Sequence, residues 1–283
     1  MKRYLLVAGA IAPCVFFSAF STAPMSVNLS DAIDSADYQV ELTSLGNSSS
    51  ECVSLVFNNQ SNKDVLLHID PGIRLVSGNS EEQDILLTHP MDVLVKSGST
   101  GESSLTGFCC QSSNATPTEG SMFSVSDNTS NELANVGKYL AENDFEPSMS
   151  QAAIWSISDD HSLAGIYATE EDARLREFCA DLRGEEAPWY SIEYGDILDT
   201  PFQNEPQVLS GKMHYEVDSN GLGDLKAYKP DGTLLVSFFE GREMTPAHYT
   251  QTFKFTAYGM EHGDYTFCVY VDGQVKEKQI ITI

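Results

Sequence analysis

Short apolar runs closed off by Gly, Pro, Asn or Ser recur in two separate blocks of this sequence, and few folds accept that pattern. Between about Ser26 and Val125 the runs are YQVELTSL, CVSLVFNN, VLLHI, IRLVSG, DILLTH and MDVLVKSG. Residues 211–283 repeat the pattern with GKMHYEVD, GDLKAYKPDG, TLLVSFF, TQTFKFTAY, GDYTFCVYV and QVKEKQIITI. Runs this short and rich in Val, Ile, Leu and aromatics, punctuated by turn residues, read as antiparallel strands. Lys229-Pro230-Asp231-Gly232 and Asp272-Gly273 are turn signals of the kind that join neighbouring strands.

Between the two blocks the period changes. Ser130 is placed to cap a helix NELANVGKYLAEN, in which Leu133, Val136 and Leu140 share a face. SMSQAAIWSIS follows, with Gln151, Ile154, Trp155 and Ser158 at helical spacing. A third helix, EEDARLREFCADL, starts from Thr169, with Asp172 three residues on as in a capping box. The stretch 184–209 loses periodicity. The expected fold is mainly β with a helical cluster. An N-terminal β-sandwich carries two or three helices over residues 24–190, a connector spans 191–204, and an immunoglobulin-like β-sandwich occupies 205–283.

The first residues, MKRYLLVAGAIAPCVFFSAFSTA, place two cations before an apolar run that ends in small residues. That order is the pattern of a secretory leader, expected here over residues 1–23 with cleavage near Ala23. No later stretch is apolar enough to span a bilayer. The chain holds 41 acidic against 16 basic residues, a net charge of −25. Nothing in it is built to neutralise phosphates, which argues against a nucleic-acid partner. The acids are dispersed, as on a solvated surface, and export would leave the protein secreted or at a cell surface.

Catalytic signatures are absent from the sequence. The six histidines (His68, His89, His161, His214, His248 and His262) show neither HExxH nor zinc-finger spacing. His68-Ile-Asp70 reads as polarity on a strand, SDDHS at 158–162 as a turn, and DNTSNE at 127–132 lacks the glycine of a calcium loop. No GxSxG, phosphate-binding or dinucleotide fingerprint occurs, and no metal or cofactor is implied.

Two other stretches belong together. PSMSQAAIWSI contains Ser150-Gln151-Ala152-Ala153-Ile154-Trp155, and GFCCQ contains Phe108-Cys109-Cys110 ahead of a polar loop and a helix. In this order they resemble the thioester domains of Gram-positive surface adhesins, whose Thr-Gln-x-Ala-Ile-Trp motif supplies a glutamine condensed with an upstream cysteine. Here Ser replaces Thr and two cysteines stand where the pattern has one. The resemblance covers about residues 105–160. It implies Cys109 and Gln151 as the reactive pair with Cys110 as alternate, Phe108 and Trp155 shielding them, and attachment to an extracellular protein or surface ligand. More loosely, KPDGTLL, HGDYTF and the ending VKEKQIITI are similar to small C-terminal sandwiches of bacterial secreted proteins, such as hook-cap modules and sorting domains.

Successive residues on a strand point to opposite faces. One of Cys109 and Cys110 is therefore expected to face the helices and the other to face away. On the thioester pattern Cys109 takes the glutamine, leaving Cys110 for a disulfide to Cys52 or Cys179. Cys268 is a further candidate for a bridge between domains. Two rival readings fit the same composition: a non-catalytic extracellular structural protein with a C-terminal sorting or docking domain, and an exported hydrolase.

Overall fold

The computed structural model describes residues 23–167, 169, 172–195, 202 and 205–283. All of the expected leader except Ala23 lies outside these residues, as does much of the expected connector. The first block of runs builds two stacked sheets. A strand β1 (Met25–Asn28) and a short helix α1 (Leu29–Ile33) precede β2 (Tyr38–Ser44) and β3 (Ser49–Asn59). Then come β4 (Val65–Ile69), β5 (Arg74–Ser77), β6 (Ile85–Leu87), β7 (Met91–Val95), β8 (Thr100–Cys109) and β9 (Phe123–Val125). One sheet has the order β1-β4-β7, with β1 parallel to β4, and the other the order β2-β3-β8-β6-β5-β9.

Alternation decides which side chains meet between the sheets. In β4, Val65, Leu67 and Ile69 are fully or almost fully buried while Leu66 and His68 face outward. They join Leu55, Phe57, Leu75, Ile85, Leu87, Leu105 and Cys109 in one core. Each such side chain contributes about 1.5–3 kcal/mol relative to exposure. β6 is buried at all three positions because its sheet is covered on both faces: Ile85 and Leu87 point to the sandwich core, Leu86 to a second core built by helices.

That second core lies under α2 (Asn131–Glu142), α3 (Pro147–Ser158) and α4 (Asp172–Arg183). Ser130 caps α2, its side chain accepting from the Leu133 N–H at 3.2 Å. Asp172 reaches back to the Thr169 N–H at 2.6 Å, the reciprocal bond of a capping box. α3 is buried at every position from Met149 to Ser156, since Ala and Ser on its sides let neighbours close around it. α2 comes equally close to the turn at Gly72, where a Cβ on Gly137 would lie 2.7 Å from the Gly72 Cα.

The second block forms a two-sheet sandwich with exclusively antiparallel pairing, one sheet β10-β11-β14 and the other β13-β12-β15-β16. Its strands are β10 (Tyr190–Glu193), β11 (Val208–Val217), β12 (Gly221–Tyr228), β13 (Leu234–Met244), β14 (Ala247–Thr256), β15 (Asp264–Val271) and β16 (Gln274–Thr282). Rings fill the core, with Phe253 and Phe267 centred 5.0 Å apart and Trp189 edge-on to both. The sequence boundary at 205 shifts here. β10 falls across the end of the first expected domain and the connector, yet it pairs with β11, and Tyr190 Oη donates to Thr282 O at 3.1 Å. Four residues beside Pro188 and Gly195 are too few to display an alternating pattern. No helix among the described residues is long and apolar enough to cross a membrane.

Candidate functional site

Gln151 and the cysteine pair meet where the ladder of the large sheet runs out. β3 begins at Ser49, which pairs with Phe108, so Cys109 extends one residue beyond the pairing. On its other side β8 stays bonded to β6 through Cys110 N–H to Asp84 O at 2.8 Å. The Cys109 N–H and C=O left over on the β3 side are satisfied by one side chain. The Cys109 N–H donates to Gln151 Oε1 at 3.2 Å, and Gln151 Nε2 donates to Cys109 O at 2.7 Å. The carboxamide thus replaces a missing rung of sheet, inside a site where Gln151 is only 1% exposed.

The two thiols lie on opposite faces, as alternation requires, but in the reverse of the expected assignment. Cys109 packs into the sandwich core with Cys52 and Leu105. Cys110 joins Phe108, Ala152 and Trp155 in the helical core, on the side from which Gln151 reaches the sheet. Burial pushes the Cys110 thiol far above its ordinary range, eased by Arg74 and reinforced by Asp84, Asp159 and Cys52. Burial does the same to Cys109, helped by Cys110 and Cys52. Both sulfurs therefore hold their protons at neutral pH.

The expected disulfides are not formed: Cys52, Cys109, Cys110, Cys179 and Cys268 are all buried free thiols. Cys110 and Cys52 sit in different cores separated by the sheet. Cys268 lies on β15 in the other sandwich. Cys179 shares the helical core with Cys110, but its thiol is engaged by Ser156 and burial raises it to about 12.

The polar surroundings were not legible from motifs. Asp84 is buried and accepts from Arg74 Nε at 2.8 Å, Gln111 Nε2 at 2.8 Å and the Ser77 N–H at 2.9 Å. Immediately after Gln111, the Ser112 N–H donates to Asp159 Oδ2 at 2.5 Å, and Ser112 Oγ lies 2.8 Å from His161 Nε2. The segment that follows β8 is in this way fastened to the segment that follows α3, the helix that carries Gln151. Asp159 and His161 come from the SDDHS stretch read as a turn. Only the fold brings them to Ser112.

Trp155 seals the assembly. It is fully buried, its Nε1–H meets no acceptor among the described residues, and its ring centre lies 5.6 Å from His161 and 5.1 Å from Phe202. His161 and Phe202 in turn wall a cavity of about 250 Å³ that also touches Tyr194 and His262. Burial lowers the His161 pKa, partly opposed by Asp159. Elsewhere His68 Nδ1 lies 2.6 Å from Asp92 across the sheet, and no cluster of three metal-ligating side chains occurs among the described residues.

Comparison of the chain with protein-family models, with curated proteins and with solved structures finds no match.

Proposed function

We propose that this is an exported binding or adhesion protein that attaches covalently to amine-bearing surface partners through a thioester between Cys110 and Gln151. The observation that supports this reading is the two-point clamp on the Gln151 carboxamide. It holds the carboxamide on the backbone of Cys109, the residue before Cys110, and the Cys109 N–H already donates to the oxygen on which negative charge would develop. On this reading the Cys110 thiol, buried in the same helical core as Ala152, acts as an intramolecular nucleophile in a site closed to water. The Cys110 sulfur attacks the Gln151 amide carbon, the C–N bond breaks, and the thiol proton leaves with the nitrogen as ammonia. A partner amine later attacks the same carbon, forming an amide and returning the thiol.

Intact-mass measurement of the full chain tests this. Wild type is expected to weigh less than its sequence by one ammonia, and methylamine is expected to add to the carbonyl and abolish that deficit. Cys110→Ser and Gln151→Ala should show full mass, while Cys109→Ser keeps the deficit. Full mass in wild type overturns the reading. The two hydrogen bonds would then favour a second one, in which Gln151 is a structural rung and the chain a non-catalytic extracellular protein.

A further inference from the structure

A second site lies on the outward face of the β10-β11-β14 sheet, where α4 meets it. The face is organised by register. Ser191 pairs with Ser210, Ser210 with Lys254, and Lys212 with Thr252, so hydroxyls and ammonium groups share one side of three adjacent strands. These residues, with Tyr167, Arg176 and Trp189, line a cavity of about 410 Å³, and among the described residues no carboxylate lies in its wall. That is unusual in a chain of net charge −25.

Arg176 is the informative member. It is only 9% exposed, and its Nη1 donates to Tyr190 O at 2.8 Å and Ser191 Oγ at 3.4 Å. Among the described residues no acid pairs with it. Its guanidinium carbon stands 4.9 Å from the centre of the Tyr167 ring, a partial compensation. A cation taken out of water is costly, the neighbouring charge of Glu177 offsets that only in part, and one edge of a guanidinium is shaped to take both oxygens of a carboxylate. Lys254 is shared with Glu193 at 3.1 Å, whereas Lys212 is exposed beside the cavity.

We infer that this cavity binds a small organic carboxylate bearing hydroxyl groups, of the kind a uronic acid presents. Arg176 takes the carboxylate, Lys212 and Lys254 add long-range attraction, Ser191, Ser210 and Thr252 meet hydroxyls, and the rings of Trp189 and Tyr167 meet the apolar ring faces. The volume falls within the about 300–1,000 Å³ of small-molecule sites. This site is independent of Cys110 and Gln151, and its fate does not bear on theirs.

The test is titration of the full chain with glucuronate, glucose and inorganic phosphate, followed by calorimetry and by Trp189 fluorescence. Glucuronate should bind saturably, with glucose and phosphate each weaker by about tenfold or more, the loss expected when a charge-assisted pair is missing or misfitted. Arg176→Met should abolish glucuronate binding. Should that variant fail to fold, exposed Lys212→Glu carries the test, with an expected weakening of about tenfold and an unchanged circular-dichroism spectrum. No saturable binding of glucuronate, equal binding of glucose, phosphate as tight as glucuronate, or full affinity in a folded variant overturns the assignment.

Discussion

The two sandwiches of this protein are stabilised by different chemistry. In the first, buried polar groups tie elements together: Gln151 to β8, Asp84 to Arg74 and Gln111, and Asn59 Nδ2 to Lys63 O at 2.8 Å and Val95 O at 3.2 Å. In the second, rings fill the centre and charged pairs such as Lys254–Glu193 and Lys226–Glu240 lie at the surface. Apolar packing is non-directional, whereas a buried hydrogen bond depends on direction as well as distance. The contrast indicates that the first unit is built to hold particular groups at particular distances. The second is held at its centre by packing, with polar groups on the outer face of the β10-β11-β14 sheet.

The largest effects should come from removing one example of each device. Asp84→Ala strands the Arg74 guanidinium and the Gln111 amide and should cost the first unit about 3–5 kcal/mol. Phe267→Ala opens a cavity in the ring cluster and should cost the second about 3–5 kcal/mol. The chain has two tryptophans, and Trp155 lies in the helical core of the first unit while Trp189 packs on the ring cluster of the second. Denaturation of Trp155→Phe and Trp189→Phe backgrounds therefore reports each unit separately. Each substitution is expected to move only its own transition. A shift of both would show that the contact of Arg176 with β10 makes the two units fold as one.

A smaller effect is expected at Gln151, because the group removed is neutral. Gln151→Met keeps the volume but leaves the Cys109 N–H and C=O unpaired in a dry site, for about 2–3 kcal/mol in total. Chemical denaturation measures it. A cost near zero would mean that water or β3 takes over the rung, and the distinction between a geometry-setting first unit and a tolerant second one would weaken at its centre.

Most of the strands were legible because alternation and turn residues are local properties. β8 shows where that fails. TGESSLTGFC has no apolar run, although it is the strand that carries the site, because Gly and Ser fill positions where neighbours crowd in. A Cβ on Gly101 would lie 2.5 Å from Val95 Cγ2, and one on Gly107 would lie 2.6 Å from Ile85 Cγ2. The meeting of Gln151 with the cysteine pair was readable only by resemblance. Which cysteine faces the helices depends on the phase of β8 in the sheet, which Phe108 alone does not set. Asp84, His161 and Arg176 left no sequence signal, since their partners are distant in the chain and chosen by the fold.

The smallest expected effect concerns His161, which links the polar network of the first unit to its aromatic seal. Burial depresses its pKa in the folded protein below the ordinary imidazole value of about 6.5. The sign follows from proton binding. As pH falls below about 6.5 the unfolded chain takes up the proton first, so stability declines until the folded imidazole protonates as well and then levels off. Above about 6.5 both states are neutral and this contribution is constant. His161→Phe, which keeps a ring against Trp155 and Phe202, should flatten the decline of the first-unit midpoint between neutral pH and the carboxylate range. It should leave the Trp189-reported transition of the second unit untouched. An undiminished slope in the variant would place the acid sensitivity on the carboxylates. Glu82 is one, held below its usual range by the hydroxyls of Ser121 and Thr118, and its contribution is lost only at lower pH still. In that case His161 would act as a packing ring, and the polar ties of the first unit would work without a group that titrates near neutrality.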